Sequence, residues 1–565
     1  MRGTTRRVAS GVTALALLGL AACTPATPAT PAQQPTQSSQ TAQTSQNART
    51  QVRGPQADYL VFYAEGRQRQ ALDAVTHAGG TKVSEDTRLG YILAKGGRDG
   101  FAEAVGGDAA VVGVSQDRSI GHATAAPGRS FPEAGALRSG RAAGEPLAGR
   151  QWDMRMIGAD RANAKNPGSK DVLVAVIDTG IDGKHPDIAP NFDRELSRNF
   201  VTDKPKDENG ETLDGPCEVA GCKDPVDQDD DGHGTHVAST IASPINGIGI
   251  AGVAPGVRLV NVRAGQDSGF FFLKPSLDAL AYAGDIGVDV ANLSYYVDPW
   301  LYNCARNPAD TRKEQLEQQA IVTGMQRAID YARKKGVTII SALGNGSTDL
   351  GRPMADDKSP GYPEGSAKAR KVDNTCLNVP AESNGVISVS ALGPSGRKAV
   401  YSDYGAEQTD VAAPGGDTTD GQGAKATRSI LAAAPERALR AAGRIAADGT
   451  PKGADVVRDC TRGACSYYQY LDGTSMAAPH ATGVAALLVS RFGKPAPGGG
   501  LTLDPATVEK LLYASADPKP CPTPRQHVYQ TFGQTQTHVC EGDTADNGFY
   551  GHGVVDAWKA VTFEP

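Results

Sequence analysis

The sequence predicts an α/β protein, a doubly wound parallel sheet preceded by a small α+β unit. Two observations predict it. Beyond about Gln151, short apolar runs alternate with helical patterns, and such alternation builds a parallel sheet with helices on both faces. Between Asp58 and Gly121 the chain reads in the order βαββαβ, the split pattern of a ferredoxin-like sandwich.

In the small unit, residues 59–63 read as a strand and 67–77 as a helix with Leu72 and Val75 inward. Residues 81–84 and 91–94 read as strands, 101–105 as a helix and 110–114 as the last strand. In the large unit, 172–177 is a continuous apolar run, as a strand covered on both faces requires. Residues 258–262, 288–293, 337–341 and 386–389 repeat the theme, with helices at 233–242, 276–283 and 315–335. Ligand chemistry in such sheets sits at the carboxyl ends of the strands.

What precedes these units addresses the chain. Arg2, Arg6 and Arg7 lead into an apolar or small stretch, 11–22, too short to span a bilayer and shaped like a secretory signal. It ends in Leu20-Ala21-Ala22-Cys23, which resembles the bacterial lipobox. The resemblance implies a lipoprotein signal peptide over 1–22 and lipidation of Cys23, and Thr24 in place of an aspartate implies no inner-membrane retention. Residues 23–57 are Thr, Gln, Pro, Ser and Ala with only Arg49 and Arg53 charged, a disordered tether with little to bury. Residues 122–149, rich in Gly, Ser, Arg and Pro, read as an exposed, cleavable linker, and 150–565 as the large domain.

Composition excludes several classes. The 565 residues are too many for one ordinary domain. A formal charge of −6 gives no basic field to hold nucleic acid. No Gly-X-Y period accompanies the 67 glycines, which excludes collagen. Of nine cysteines, removing Cys23 leaves an even number in an exported chain. Cys217 and Cys222 are close in sequence, as are Cys460 and Cys465. Cys521 and Cys540 bracket a loop, and Cys304 and Cys376 remain as the fourth pair. Disulfides are the expectation over zinc, because the Cys-x4-Cys pairs lie far apart and no histidine cluster accompanies them.

Three short blocks carry chemistry. Asp178 follows the buried strand in Val176-Ile177-Asp178-Thr179-Gly180, where a turn or helix-capping aspartate is the plainer reading. His233 opens a helix in Gly232-His233-Gly234-Thr235-His236, as a general base or, with His236, as a metal ligand. No His-Glu-x-x-His glutamate supports the metal. Ser475 sits in Gly473-Thr474-Ser475-Met476-Ala477-Ala478-Pro479-His480, as an N-cap or as a nucleophile at a helix N-terminus.

Together the blocks, in the order Asp, His, Ser, resemble the subtilisin-like serine proteases. The resemblance runs from about Gln151 to about Val561 and includes Gly551-His552-Gly553-Val554-Val555-Asp556-Ala557 near the end. It implies a subtilisin-like fold and peptide-bond hydrolysis through an acyl-enzyme. Ser475 would be the nucleophile, His233 the base and later the acid, and Asp178 the group that orients and stabilises the imidazolium. His236 and His480 are expected to be structural. Ala342-Leu343-Gly344-Asn345 matches the family's oxyanion block, so Asn345 and the Ser475 N–H are the expected donors. Substrate would lie along Ser294, Tyr295 and Tyr296 on one edge and Gly269 on the other, with Ala342 and Gly344 in the pocket. Tyr296 stands where the family usually has glycine, so pocket preference does not transfer. Phe270-Phe271-Phe272 reads either as a loop core or as a hydrophobic subsite.

The resemblance further implies a structural Ca²⁺ held by Asp187 and Asn246 side chains with the carbonyls of Pro244, Ile248 and Ile250, and Gln151 as an added ligand. The acidic run 227–231 reads as a second ion site or, more plainly, a solvated face. Position and element order make 58–121 resemble the family's inhibitory propeptide.

The expected protein is thus a lipid-anchored, exported serine endopeptidase made as a zymogen, placed in the cell envelope or released after processing. Its partners are polypeptide substrates, its own propeptide and, through the anchor, a membrane; it is expected to be a monomer without nucleic acid. Activity is expected to rise through roughly pH 6 to 7. A narrow-specificity maturation protease, or a non-catalytic surface binding protein on the same fold, are the alternatives. Segments 203–226, 298–319, 347–382, 417–470 and 494–547 exceed a minimal core of this kind, and the cysteine pairs fall in or tie them.

Overall fold

The computed structural model describes residues 55–117, 144–207, 210–363, 365–496, 499–531 and 534–564. Cys23, the signal stretch, nearly all of the tether and most of the linker lie outside them.

The small unit runs β1 (Gln56–Tyr63), α1 (Gln68–His77), β2 (Thr81–Asp86), β3 (Tyr91–Gly97), α2 (Phe101–Val105) and β4 (Val111–Gln116). Its antiparallel sheet has the order β2-β3-β1-β4. Because side chains alternate along a strand, β1 serves two cores. Tyr59, Val61 and Tyr63 pack with Ala71, Val75 and Phe101 of the unit's own helices. Leu60 and Phe62 point the other way, into the core of the large unit.

The large unit is built on seven parallel strands. They are β5 (Leu173–Ile177), β6 (Arg198–Asn199), β7 (Arg258–Arg263), β8 (Val290–Leu293), β9 (Thr338–Ala342), β10 (Val386–Leu392) and β11 (Val411–Pro414), ordered β11-β10-β9-β8-β5-β7-β6. β5 is buried along its whole length, which explains its unbroken Leu-Val-Ala-Val-Ile; full burial of each large aliphatic is worth about 1.5–3 kcal/mol. The principal helices are α3 (His233–Ala242), α4 (Leu273–Asp285), α5 (Arg312–Lys334) and α6 (Thr474–Phe492). Between β11 and α6 a three-stranded sheet forms from β12 (Ile430–Ala433), β13 (Val456–Asp459) and β14 (Ser466–Leu471).

Two helices start earlier than expected, for local reasons. At α5, Thr311 Oγ1 accepts the Glu314 N–H at 3.3 Å while Glu314 Oε2 accepts the Thr311 N–H at 2.6 Å. This reciprocal cap satisfies two amides and adds a turn. At α4, Pro275 lies in the first turn, where a missing N–H costs nothing.

The sheet of the small unit lies on α4 and α5. Gly113 makes that approach possible, since a Cβ there would meet Ala320 N at 2.5 Å. Arg327 locks the contact by donating to the carbonyls of Tyr63 (2.9 Å), Leu89 (3.2 Å) and Gly90 (2.9 Å). Arg88 adds an ion pair with Asp285 at 2.6 Å.

Four disulfides join Cys217 to Cys222, Cys304 to Cys376, Cys460 to Cys465 and Cys521 to Cys540. The second ties two of the extra segments to each other. Among the described residues no helix is long and apolar enough to cross a membrane.

Candidate active site

Asp178 is the first residue past β5, and His233 the first of α3. Their side chains meet: His233 Nδ1 lies 2.7 Å from Asp178 Oδ1, and both residues are buried. Gly234 permits it, because a Cβ there would fall 2.1 Å from Gly180 O and 3.0 Å from Asp178 Cβ. Asp178 Oδ1 also accepts the Thr179 N–H at 2.8 Å.

Asp229 bolts the two loops together. It accepts the Thr179 hydroxyl (3.1 Å), the Gly232 N–H (2.9 Å), the Thr235 N–H (2.9 Å) and the Thr235 hydroxyl (2.6 Å). Within the acidic run 227–231, Asp227 and Asp229 are buried and Asp231 is exposed, while Asp230 stands with Glu218 and Asp267 in a group that could hold a cation. Asp227 is buried against Arg194 and Lys184, Asp230 pairs with Arg437 at 3.0 Å, and Asp231 accepts the His233 N–H at 2.9 Å. Thr179 lies 50 residues from Asp229 in sequence, so only the assembled loops identify Asp229 as a positioning residue.

Burial opposes a charge on His233. The Asp178 carboxylate, backed by Asp231 and Asp229, outweighs it and lifts the imidazole to about 9. The other ring nitrogen, Nε2, is buried with no hydrogen-bond partner among the described residues.

Ser475 lies in the first turn of α6, whose amides have no acceptor within the helix. Pro479 has no N–H to donate to the carbonyl four residues back, so Ser475 O is available. The Ser294 hydroxyl donates to it at 3.0 Å, and Ser475 Oγ donates to Ser294 O at 3.1 Å. That pair staples the end of β8 to α6. The serine hydroxyl thus rests on Ser294 rather than on His233, although α3 and α6 pack against each other.

Asn345 follows β9. Its Oδ1 accepts both the N–H and the hydroxyl of Thr474, each at 2.9 Å, which fixes the amide plane. From the point a Cβ on Gly473 would occupy, Ser475 N is 3.5 Å away and Asn345 Nδ2 3.6 Å. Two nitrogens that can donate thus flank one small volume. Asp403, absent from the sequence reading, supports the loop from behind: it accepts the Thr348 N–H at 2.7 Å and gives its own N–H to Gly344 O at 2.9 Å.

A cavity of about 280 Å³ opens beside Ser475, lined by Ser294, Tyr295, Tyr296, Ala342, Gly344 and Asn345, and by Leu301 and Lys358 of the extra segments. Tyr295 is buried with its ring stacked on Phe271 at 4.0 Å. Gly269 does not line the cavity. Phe271 and Phe272 are buried, and Phe270 meets Tyr362 edge-on at 6.3 Å, so the phenylalanine run forms a loop core. His236 Nε2 lies 3.1 Å from Ile430 O and 3.0 Å from Gln469 O, and burial holds it down to about 3. His480 bridges Met476 O (2.8 Å) and Asp153 (3.1 Å).

Around Asp187 the residues fit a cation. Asp187 accepts from Asn246 Nδ2 (3.1 Å), Ile250 N (3.0 Å) and the Tyr468 hydroxyl (3.1 Å). Glu145, missed because it sits in the linker, takes the Gly247 N–H at 3.0 Å. Its Oε2 is buried without a partner among the described residues. Burial, with the like charge of Glu145 adding to it, pushes Asp187 up to about 8. Two buried carboxylates and an orphaned oxygen are the surroundings a divalent ion neutralises. Ile248 and Ile250 turn N–H groups toward Asn246 and Asp187, because buried acceptors take the nearest donors. Gln151 exchanges bonds with Ala251 at 2.8 and 3.2 Å. A separate acidic group, Asp203, Asp224 and Asp267, converges on the buried Arg263 at 2.7, 2.7 and 3.0 Å.

The Subtilase family model matches residues 169–553. A "Thermophilic serine proteinase" of Bacillus sp. (strain AK1) is 28% identical over 344 residues, 61% of this chain and 58% of its own length. Fervidolysin of Fervidobacterium pennivorans is 28% identical over 366 residues, 62% of this chain and 39% of its own. The chain therefore spans 58% and 39% of the length of these two relatives. Among solved structures, the epidermin leader peptide processing serine protease EpiP of Staphylococcus aureus gives a TM-score of 0.56 at 23% identity, over 90% of this chain and 98% of that one. At that identity the likeness concerns the fold.

Proposed function

The chain belongs to the subtilase family, and from that premise we propose that it is a serine endopeptidase that works through Asp178, His233 and Ser475. The observation that carries the reading is the buried 2.7 Å contact between Asp178 and His233, on a helix packed against the one that holds Ser475 in its first turn.

In this reading the Ser475 hydroxyl leaves Ser294 O, gives its proton to His233 Nε2 and attacks the scissile carbonyl. Asp178 keeps the imidazole in the tautomer that accepts at Nε2 and stabilises the imidazolium. The Ser475 N–H and Asn345 Nδ2 take the oxyanion. His233 returns the proton to the leaving amine, and water repeats the cycle on the acyl-enzyme.

The unit within 58–121 acts as an inhibitory propeptide, a role supported by its seat on α4 and α5, and the linker is where it is cut. Export and lipidation at Cys23 complete the proposal. Asp187, Asn246 and Glu145 would hold a calcium ion, which would neutralise buried charge and brace the loop 244–250. A narrow-specificity maturation role is favoured over broad digestion by one observation: Leu301 and Lys358, from segments beyond a minimal core, wall the cavity.

The test is labelling with a fluorophosphonate and hydrolysis of a peptide library. Ser475→Ala should abolish labelling and lower kcat/KM by on the order of 10⁶-fold, the loss known for the equivalent serine of subtilisin. Full activity in that variant would remove the nucleophile assignment. Failure of the unaltered protein both to cut its linker and to label would leave a binding protein.

A further inference from the structure

We infer that the protease selects an acidic residue, glutamate above all, on the amino side of the bond it cuts, and that Lys358 makes the selection. The inference rests on the endopeptidase reading and names its substrate class.

The cavity beside Ser475 is walled by Tyr296, Leu301, Ala342 and the backbone of Gly344 and Gly346, and the one charged residue lining it is Lys358. Lys358 makes no ion pair among the described residues, although its charge acts on the buried Asp403. Asp356 pairs with Arg370 at 3.0 Å and accepts the N–H groups of Lys358 (2.9 Å) and Ser359 (3.1 Å). Asp298 accepts from the Tyr296 hydroxyl. Asp403 lies against Gly344 and Gly346, outside the cavity lining, and takes the Thr348 N–H. Lys358 is an exposed residue on the wall of this cavity, and every other lining side chain is uncharged.

The backbone that carries this lysine is pinned. Leu301 N donates to Ser359 Oγ at 2.9 Å, Gly361 N to Pro299 O at 2.8 Å, and the Cys304–Cys376 bond ties the two segments. A glutamate side chain fits the arrangement, its methylenes on Tyr296 and Leu301 and its carboxylate on the ammonium. A lysine or arginine there would meet a like charge. A charge-assisted hydrogen bond to an exposed ammonium, screened by water, supports a preference of about 3- to 10-fold over glutamine.

The experiment uses the processed enzyme and peptides that differ only at that position, carrying Glu, Gln, Lys or Phe. Expected is Glu over Gln by about 3- to 10-fold in kcat/KM, with Lys poorest. Lys358→Met should erase the Glu-to-Gln ratio, and Lys358→Glu should put Lys first. Fluorophosphonate labelling reads the nucleophile separately, since the probe offers no such side chain. Equal cleavage of Gln, Lys or Phe by a labelling-competent enzyme would overturn the inference, as would an unchanged ranking in Lys358→Glu. Loss of labelling in the unaltered enzyme would instead sink the endopeptidase reading, and the inference with it.

Discussion

The two walls of the cleft are built by opposite means. One carries Asp178, His233 and Ser475 on a strand end and two helix starts, and is placed by the buried sheet and by backbone fit. The other, from segments 298–319 and 347–382, has little regular structure beyond the start of α5 and is held by side chains. There Arg370, fully buried, pairs with Asp310 (3.1 Å) and Asp356 (3.0 Å) and stacks on Trp300 at 4.7 Å, while Trp300 Nε1 donates to Glu317 at 3.1 Å. Under the proposed function, the difference teaches that the chemistry is placed by the buried core. Recognition is fixed by staples that can be altered one at a time.

Arg370→Met breaks the comparison hardest. It strands the buried Asp356 and leaves Asp310 with Lys368 at 3.4 Å, and removing one partner of a buried pair costs about 3–5 kcal/mol. The expected outcome is early proteolytic nicking within 347–382 and a raised KM, while Ser475 in intact molecules still labels. Equal loss of labelling and binding would show that the two walls are one cooperative unit.

Asn345→Ala probes the other wall. Here kcat should fall by ~10²–10³, the loss known for the corresponding side chain of subtilisin, with KM little changed. A rise in KM without loss of kcat would mean that Asn345 binds substrate rather than the transition state.

How much of this was legible follows the same division. The strands showed through as unbroken Val, Ile and Leu runs, because burial on both faces leaves no polar alternation to confuse the period. The start of α3 was visible in Gly232-His233-Gly234. Strands β6 and β11 were not, being two and four residues long and, for β11, rich in alanine with a terminal proline. Asp229 hid inside an acidic run because its acceptor role needs Thr179 and Thr235, which only folding supplies. Glu145 hid in a segment that reads as linker. Lys358 stands in a Gly-, Asp- and Pro-rich stretch without period, and its place on the cavity wall depends on a disulfide and a buried arginine that sequence spacing alone does not orient.

The smallest effect is electrostatic and sharpens the account of the core wall. His233, lifted to about 9 rather than left at its ordinary 6.5, moves the rise of kcat/KM above the roughly pH 6 to 7 expected for an unperturbed histidine. Asp231→Asn keeps an oxygen for the His233 N–H and removes one of the charges that hold the imidazolium. The rise should shift toward lower pH by a fraction of a unit, because Asp231 is exposed and water and salt screen it. Added salt should produce part of the same shift in the unaltered enzyme. The sign carries over to stability. A group that binds its proton more tightly when folded stabilises fully below its unfolded value of 6.5, and that contribution is lost as pH rises through about 9. Thermal unfolding of Ser475→Ala, which does not digest itself, should therefore show melting temperature falling over that window, and less steeply once Asp231→Asn is added. A rise that stays at pH 6 to 7 in both proteins would mean that Asp178 orients the ring without holding its charge.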